Sequence, residues 1–122
     1  MRTIQHWVNN KVVKGTSGNT GKVFNPATGE QQAEVDLASV AEVDAVVAAA
    51  KTAFATWRSS NLSKRAEVMF RMRELVDAHR KELANIVSLE HGKVPSDAAG
   101  ELARGLENLE FACGIPALLK GG

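Results

Sequence analysis

Ser39-Val40-Ala41-Glu42-Val43-Asp44-Ala45-Val46-Val47 is the stretch at which strand signals give way to helical ones. Ser39 and Glu42 stand at the spacing of a capping box, in which the hydroxyl and the carboxylate each satisfy a backbone donor that the first helical turn leaves free. A helix from Val40 to about Trp57 follows. Val43, Val46, Val47, Ala50, Phe54 and Trp57 keep the 3, 4, 7 spacing of one apolar stripe, while Glu42, Lys51 and Thr52 fall elsewhere on the wheel.

Upstream of this stretch, Ile4 to Val8 and Lys11 to Val13 flank Asn9-Asn10, two residues that tolerate the positive φ of a tight hairpin turn. Thr16 to Gly21 reads as a loop. Lys22 to Phe24 and Gln31 to Val35 then flank Asn25-Pro26-Ala27-Thr28-Gly29, where Pro26 fixes φ and Gly29 supplies a left-handed position. These signals predict a small antiparallel β meander. Downstream, a second helix starts near Ser63 and buries Met69, Met72, Leu75 and Val76. The pattern weakens over Asp77 to Arg80 and resumes with Leu83, Ile86 and Val87, which predicts a break or kink. Gly92 suits a left-handed cap and Pro95 prevents continuation. A last helix runs from about Ser96 to Cys113, with Leu102, Leu106, Leu109 and Cys113 on one face, and Gly114 and Pro116 end it. No linker, repeat or low-complexity stretch marks an internal boundary, so the chain reads as one continuous piece.

Composition narrows the function classes. The 122 residues are 44% hydrophobic with a net charge of +1, one domain's worth of chain, able to bury roughly 65% of its unfolded surface if it folds alone. No strong charge bias points to nucleic acid or to a membrane surface. The longest apolar stretch, Ala45 to Ala50, falls far short of the ~20 residues a membrane span needs, and Met1-Arg2-Thr3-Ile4-Gln5 lacks a signal-peptide core. A cytoplasmic setting is the expectation. The single cysteine excludes an intramolecular disulfide, and His6, His79 and His91 lack cysteine partners at ligand spacing, so no metal site is expected.

Five features are candidates for chemistry or recognition. Cys113 is a possible nucleophile, but Phe111-Ala112-Cys113-Gly114-Ile115 places it on an apolar helical stripe, the setting of a packed, inert thiol. Glu90-His91-Gly92-Lys93 resembles an acid/base cluster in composition; a helix cap at Gly92, with Lys93 complementing the helix C-terminus, accounts for it more simply. Lys64, Arg65, Arg71, Arg73, Arg80 and Lys81 form a basic run, interleaved with Glu67, Glu74, Asp77 and Glu82 into a solvated mixed face rather than a phosphate-tracking stripe. Trp7 and Trp57 read as packing anchors. Finally, Asp97, Glu101, Arg104 and Asn108 share one polar stripe opposite the leucines of the last helix, so the Arg104 guanidinium can leave the core side. Its plainest role there is a surface pair with Glu101 at i−3 or Glu107 at i+3, worth a few tenths of a kcal/mol.

The ordered blocks His6-Trp7-Val8-Asn9-Asn10-Lys11, Val23-Phe24-Asn25-Pro26-Ala27-Thr28-Gly29-Glu30, Val43-Asp44-Ala45-Val46 leading to Ala53-Phe54 and Trp57, Lys81-Glu82-Leu83-Ala84, Leu89-Glu90-His91-Gly92-Lys93 and Gly100-Glu101 together resemble the opening of an NAD-dependent aldehyde dehydrogenase. Within that superfamily, Gly100 to Gly114, with its Arg104-Gly105 pair ahead of Glu110-Phe111-Ala112, is similar to the CoA-acylating methylmalonate-semialdehyde dehydrogenase branch. The resemblance implies an α/β fold of which this chain is the N-terminal part, mainly α-helical after a short β meander. Residues 1–38 correspond to that meander and residues 39–117 to helices of the NAD-binding domain.

It further implies that Arg104 holds the carboxylate of the semialdehyde substrate, a role that suits a planar guanidinium able to grip a carboxylate through two parallel charge-assisted hydrogen bonds. NAD and CoA are the implied co-substrates of the complete enzyme, and the implied partners are the remainder of the dehydrogenase and further copies in a homo-oligomer. The family's dinucleotide turn, oxyanion donors, catalytic cysteine and glutamate base have no counterpart among these blocks. Gly15 to Gly21 is glycine-dense, but it lies in a meander without the strand-to-helix context of a phosphate loop. The chain alone is therefore expected to bind neither co-substrate and to be inactive. A second reading is a free-standing helical module that binds a full-length subunit; a third is another aldehyde dehydrogenase branch. Leu118-Leu119-Lys120-Gly121-Gly122 lacks a polar, cap-like finish, which favours an interrupted chain over the module.

Overall fold

The computed structural model describes residues 1–121. The chain divides into two compact units, the second beginning at Ser60. The division falls after the first long helix, whereas the sequence, without a linker, showed no internal boundary.

In the first unit, Asn9 and Asn10 adopt φ of 50° and 62° and join β2 (His6–Val8) to β3 (Lys11–Val13) in an antiparallel hairpin with Val8 opposite Lys11. Two successive left-handed residues give a turn whose twist matches that of the flanking strands. β4 (Thr20–Phe24) and β5 (Gln31–Asp36) are also antiparallel. Between them Gly29 takes a φ of 75°, and its N–H donates to the Asn25 carbonyl at 2.8 Å.

The meander reading needs one correction. Ile4 to Val8 is not a single strand: β1 (Arg2–Ile4) and β2 are separate, and β1 lies parallel to β5 with Arg2 opposite Ala33. The sheet order is β1-β5-β4, and β2-β3 forms its own ribbon. Parallel pairing needs a long crossover rather than a tight turn; the chain between β1 and β5 supplies it, a connection that local pattern cannot reveal. β5 is the central strand, and its Ala33 is fully buried.

Helix α1 (Val40–Trp57) begins with the expected capping box. The Ser39 N–H and hydroxyl both donate to Glu42 Oε2, at 2.8 and 2.9 Å, and the Ser39 hydroxyl accepts from the Glu42 N–H at 3.3 Å. The other oxygen, Glu42 Oε1, accepts from the Thr16 N–H at 2.7 Å. Asp36 Oδ2 likewise accepts from the Gly15 N–H at 2.8 Å, and the Ser17 hydroxyl donates to the Leu37 carbonyl. The β3–β4 loop is thus pinned by two carboxylates and a hydroxyl. Backbone donors from Ser39 and Thr16 lower the Glu42 pKa from 4.5 to about 2. A Cβ added at Gly15 would lie 2.8 Å from Asp36 Cβ, so this close approach needs glycine. The stripe of α1 is not covered: Val47 is 60% and Phe54 55% exposed, and Trp7 on β2 is 68% exposed. Trp7, Val43, Val46 and Val47 line an apolar groove of about 290 Å³.

The second unit is helical: α2 (Leu62–Ala78), α3 (Arg80–His91), α4 (Pro95–Cys113) and a short α5 (Ile115–Leu118). Asn61 caps α2 by accepting from the Lys64 N–H at 2.8 Å. The expected break falls at His79, which leaves the helical region (φ −104°, ψ 15°) between α2 and α3. Gly92 ends α3 with a φ of 84°, and Pro95 occupies the first turn of α4, where its missing N–H costs nothing. α4 packs against α2, α3 and α5. Ala66, Ala84, Ala98 and Leu106 are the buried apolar residues of this unit; three of the four are alanines, so the helices approach closely but bury little apolar volume. Arg73 on α2 reaches Glu110 Oε1 on α4 at 2.7 Å and Asp77 Oδ2 at 3.0 Å, and Asp77 also holds Arg80 at 2.6 Å.

Candidate functional site

Helix α4 carries the residue singled out for substrate binding. Its apolar face buries Ala98 and Leu106, with Leu102, Leu109 and Cys113 partly covered, and this fixes which way the opposite stripe points. Arg104 stands on that stripe and is exposed. Among the described residues its guanidinium makes neither a hydrogen bond nor an ion pair, so the surface pair with Glu101 or Glu107, the plainer of its two readings, is not formed. The side chain lies back along the preceding turn, where Nη1 comes within 3.9 Å of the point a Cβ on Gly100 would occupy. Asn108, also on the stripe, turns its amide onto the Arg104 carbonyl at 3.0 Å.

Glu101 is engaged elsewhere. Its Oε1 lies 2.6 Å from Lys93 Nζ in the α3–α4 turn. The hydrogen bond from Lys93 is the main cause of a lowered Glu101 pKa; burial opposes it, and the charges of Lys93, His91 and Arg104 add to it. The Gly92 cap forms as read from the sequence, but Lys93 spends its charge on Glu101 in the next helix. That pair, eight residues apart, was invisible to helical spacing because the Gly92 turn intervenes. Cys113 is a free thiol at the end of α4, on the face of Leu102, Leu106 and Leu109. In the basic run, Arg71 pairs with Glu67, Arg73 with Glu110 and Asp77, and Arg80 with Asp77. Trp7 is 68% and Trp57 41% exposed, so neither is fully anchored in a core.

The site so built places Arg104, without a hydrogen bond or ion pair among the described residues, beside the Lys93–Glu101 pair. Comparison with known proteins places it in context. The sequence profile of the aldehyde dehydrogenase family matches residues 12–122. The chain belongs to the aldehyde dehydrogenase family. It is 48% identical over 120 residues to malonate-semialdehyde dehydrogenase 3 of Geobacillus kaustophilus, a match that covers 98% of this chain and 25% of that protein. Its fold superposes on a crystal structure of methylmalonate-semialdehyde dehydrogenase from Oceanimonas doudoroffii with a TM-score of 0.94 and 48% identity, over 100% of this chain and 25% of that one. A Sinorhizobium meliloti protein assigned to the same enzyme class and solved in complex with NAD gives a TM-score of 0.91 and 45% identity, over 97% of this chain and 24% of that one. The chain therefore spans about a quarter of the length of these aldehyde dehydrogenases. No helix among the described residues is long and apolar enough to cross a membrane.

Proposed function

We propose that this chain serves as the N-terminal quarter of a CoA-acylating methylmalonate- or malonate-semialdehyde dehydrogenase that oxidises a semialdehyde acid with NAD and CoA. The observation that carries the reading is the 48% identity, sustained over the whole chain, to a malonate-semialdehyde dehydrogenase. In this reading α1 to α4 are helices of the NAD-binding domain and α4 forms one wall of the substrate cleft. The unengaged Arg104 guanidinium grips the carboxylate that distinguishes a semialdehyde acid from a plain aldehyde, through two parallel charge-assisted hydrogen bonds. Thiolate addition, hydride transfer and thioester transfer belong to the rest of the enzyme, which is also this chain's partner within a cytoplasmic homo-oligomer. No residue of this chain takes a covalent role.

Two measurements test the proposal. In a complete dehydrogenase carrying this segment, Arg104→Met raises KM for malonate semialdehyde by about ten- to a hundredfold, the loss of a charge-assisted pair, while KM for propanal, which has no carboxylate, moves far less. An equal effect on both substrates removes Arg104 from the substrate site. The 122-residue chain alone gives no aldehyde-dependent NADH; turnover by it would overturn the assignment of the chemistry to the remainder.

A further inference from the structure

We propose that Lys93 is a positioning residue for the carboxylate site: by holding Glu101, it keeps that acid off Arg104 and leaves the guanidinium open to substrate. The inference rests on the substrate role of Arg104 and adds a reason why the arginine is available.

Glu101 precedes Arg104 by three residues on α4, within reach for an intrahelical ion pair, and an acid N-terminal to its base is the favourable order. Glu107, three residues beyond, has the less favourable one. Glu101 is thus the strongest internal competitor for the guanidinium, and a bound substrate carboxylate would have to displace it. It is not on Arg104 because it is on Lys93, at 2.6 Å. The lysine is well placed to hold it. Gly92, with its φ of 84°, turns the chain out of α3, and Val94, the N-cap residue, starts α4 two residues later, so Lys93 sits in a short turn above the first two turns of α4. Its side chain is only 21% exposed, against 42% for Glu101; its stem is packed, and its ammonium is more confined than that of a free surface lysine. Lys93 and Glu101 cancel each other's charge, which leaves Arg104 and, seven residues before it, Asp97 as the charged groups of the stripe. Removing the lysine charge frees Glu101 to reach the guanidinium three residues on, where it neutralises the site and competes with any anionic substrate.

The test uses steady-state kinetics of a complete dehydrogenase carrying this segment, with malonate semialdehyde and propanal as paired substrates. Lys93→Met is expected to raise the ratio of the two KM values by about two- to fivefold, the factor an exposed or half-exposed ion pair imposes, with kcat little changed. Adding Glu101→Gln returns the ratio to its starting value because the competitor is gone, and Lys93→Arg, which can still hold Glu101, leaves the ratio unaltered. A merely structural role for Lys93 predicts a common loss for both substrates and no rescue by Glu101→Gln. Either that result or an unchanged ratio in Lys93→Met overturns the proposal. If Arg104→Met leaves the ratio unchanged, the arginine assignment itself fails and the Lys93 role with it; a raised ratio in Arg104→Met beside an unchanged one in Lys93→Met removes the Lys93 role alone.

Discussion

Glu42 uses both carboxylate oxygens, one on the cap of α1 and one on the Thr16 amide of the β3–β4 loop. With a folded pKa of about 2 against an ordinary 4.5, it contributes stability that is present above pH ~4.5 and is lost as the pH falls from there through about 2. We expect Glu42→Gln to lower the melting temperature at neutral pH and to flatten its fall over that acid window, as followed by circular dichroism; an unchanged acid limb would show that other carboxylates set it. Half of this arrangement was legible in the sequence. Ser39 and Glu42 announce the cap by their spacing, whereas the bond to Thr16 spans 26 residues and depends on where a loop lands. The same division holds at the α3–α4 turn. Arg104 could be placed on its stripe by counting residues, but its freedom from Glu101 could not, because Lys93 approaches from outside the helix.

At the level of the element, α4 packs against every other helix of its unit. Leu106, 3% exposed, is the large side chain of α4 that is buried, and Leu106→Ala is expected to destabilise the chain by about 2–5 kcal/mol. Urea denaturation measures it. Phe54→Ser on α1, at a side chain already 55% exposed, should cost under ~1 kcal/mol in the isolated chain. A large loss there would mean that the α1 stripe is covered. Helix positions were readable from period and caps, apart from Asn61, an N-cap that the apolar pattern passed over, and α5, too short to have a period. The strands were less so: the alternation of Ile4 to Val8 is the same whether it forms one strand or two, and the parallel partner of β1 lies far along the chain.

For the molecule as a whole, the decisive quantity is surface. A folded protein of 13.1 kDa exposes about 6,400 Å², and two separate domains of half that mass about 7,700 Å² together; this chain exposes 9201 Å². Large apolar side chains contribute to it, with Phe54, Val47, Trp7 and Phe111 all more than half exposed, which agrees with a chain that spans a quarter of its relatives. An apolar surface this large favours association. The isolated chain should therefore bind a hydrophobic dye strongly and sediment as aggregates or oligomers at micromolar concentration, and Phe54→Ser with Val47→Ser should reduce both. A dye-silent monomer would contradict it. In a relative four times as long, the same uncovered α1 stripe has a meaning in time. It leaves the ribosome within the first quarter of the chain, and at about 5–20 residues per second the following three quarters take roughly 20–70 s to be made. For that interval the stripe is an adhesive face on a nascent chain, and its protection is a task for chaperones before it becomes a matter of packing.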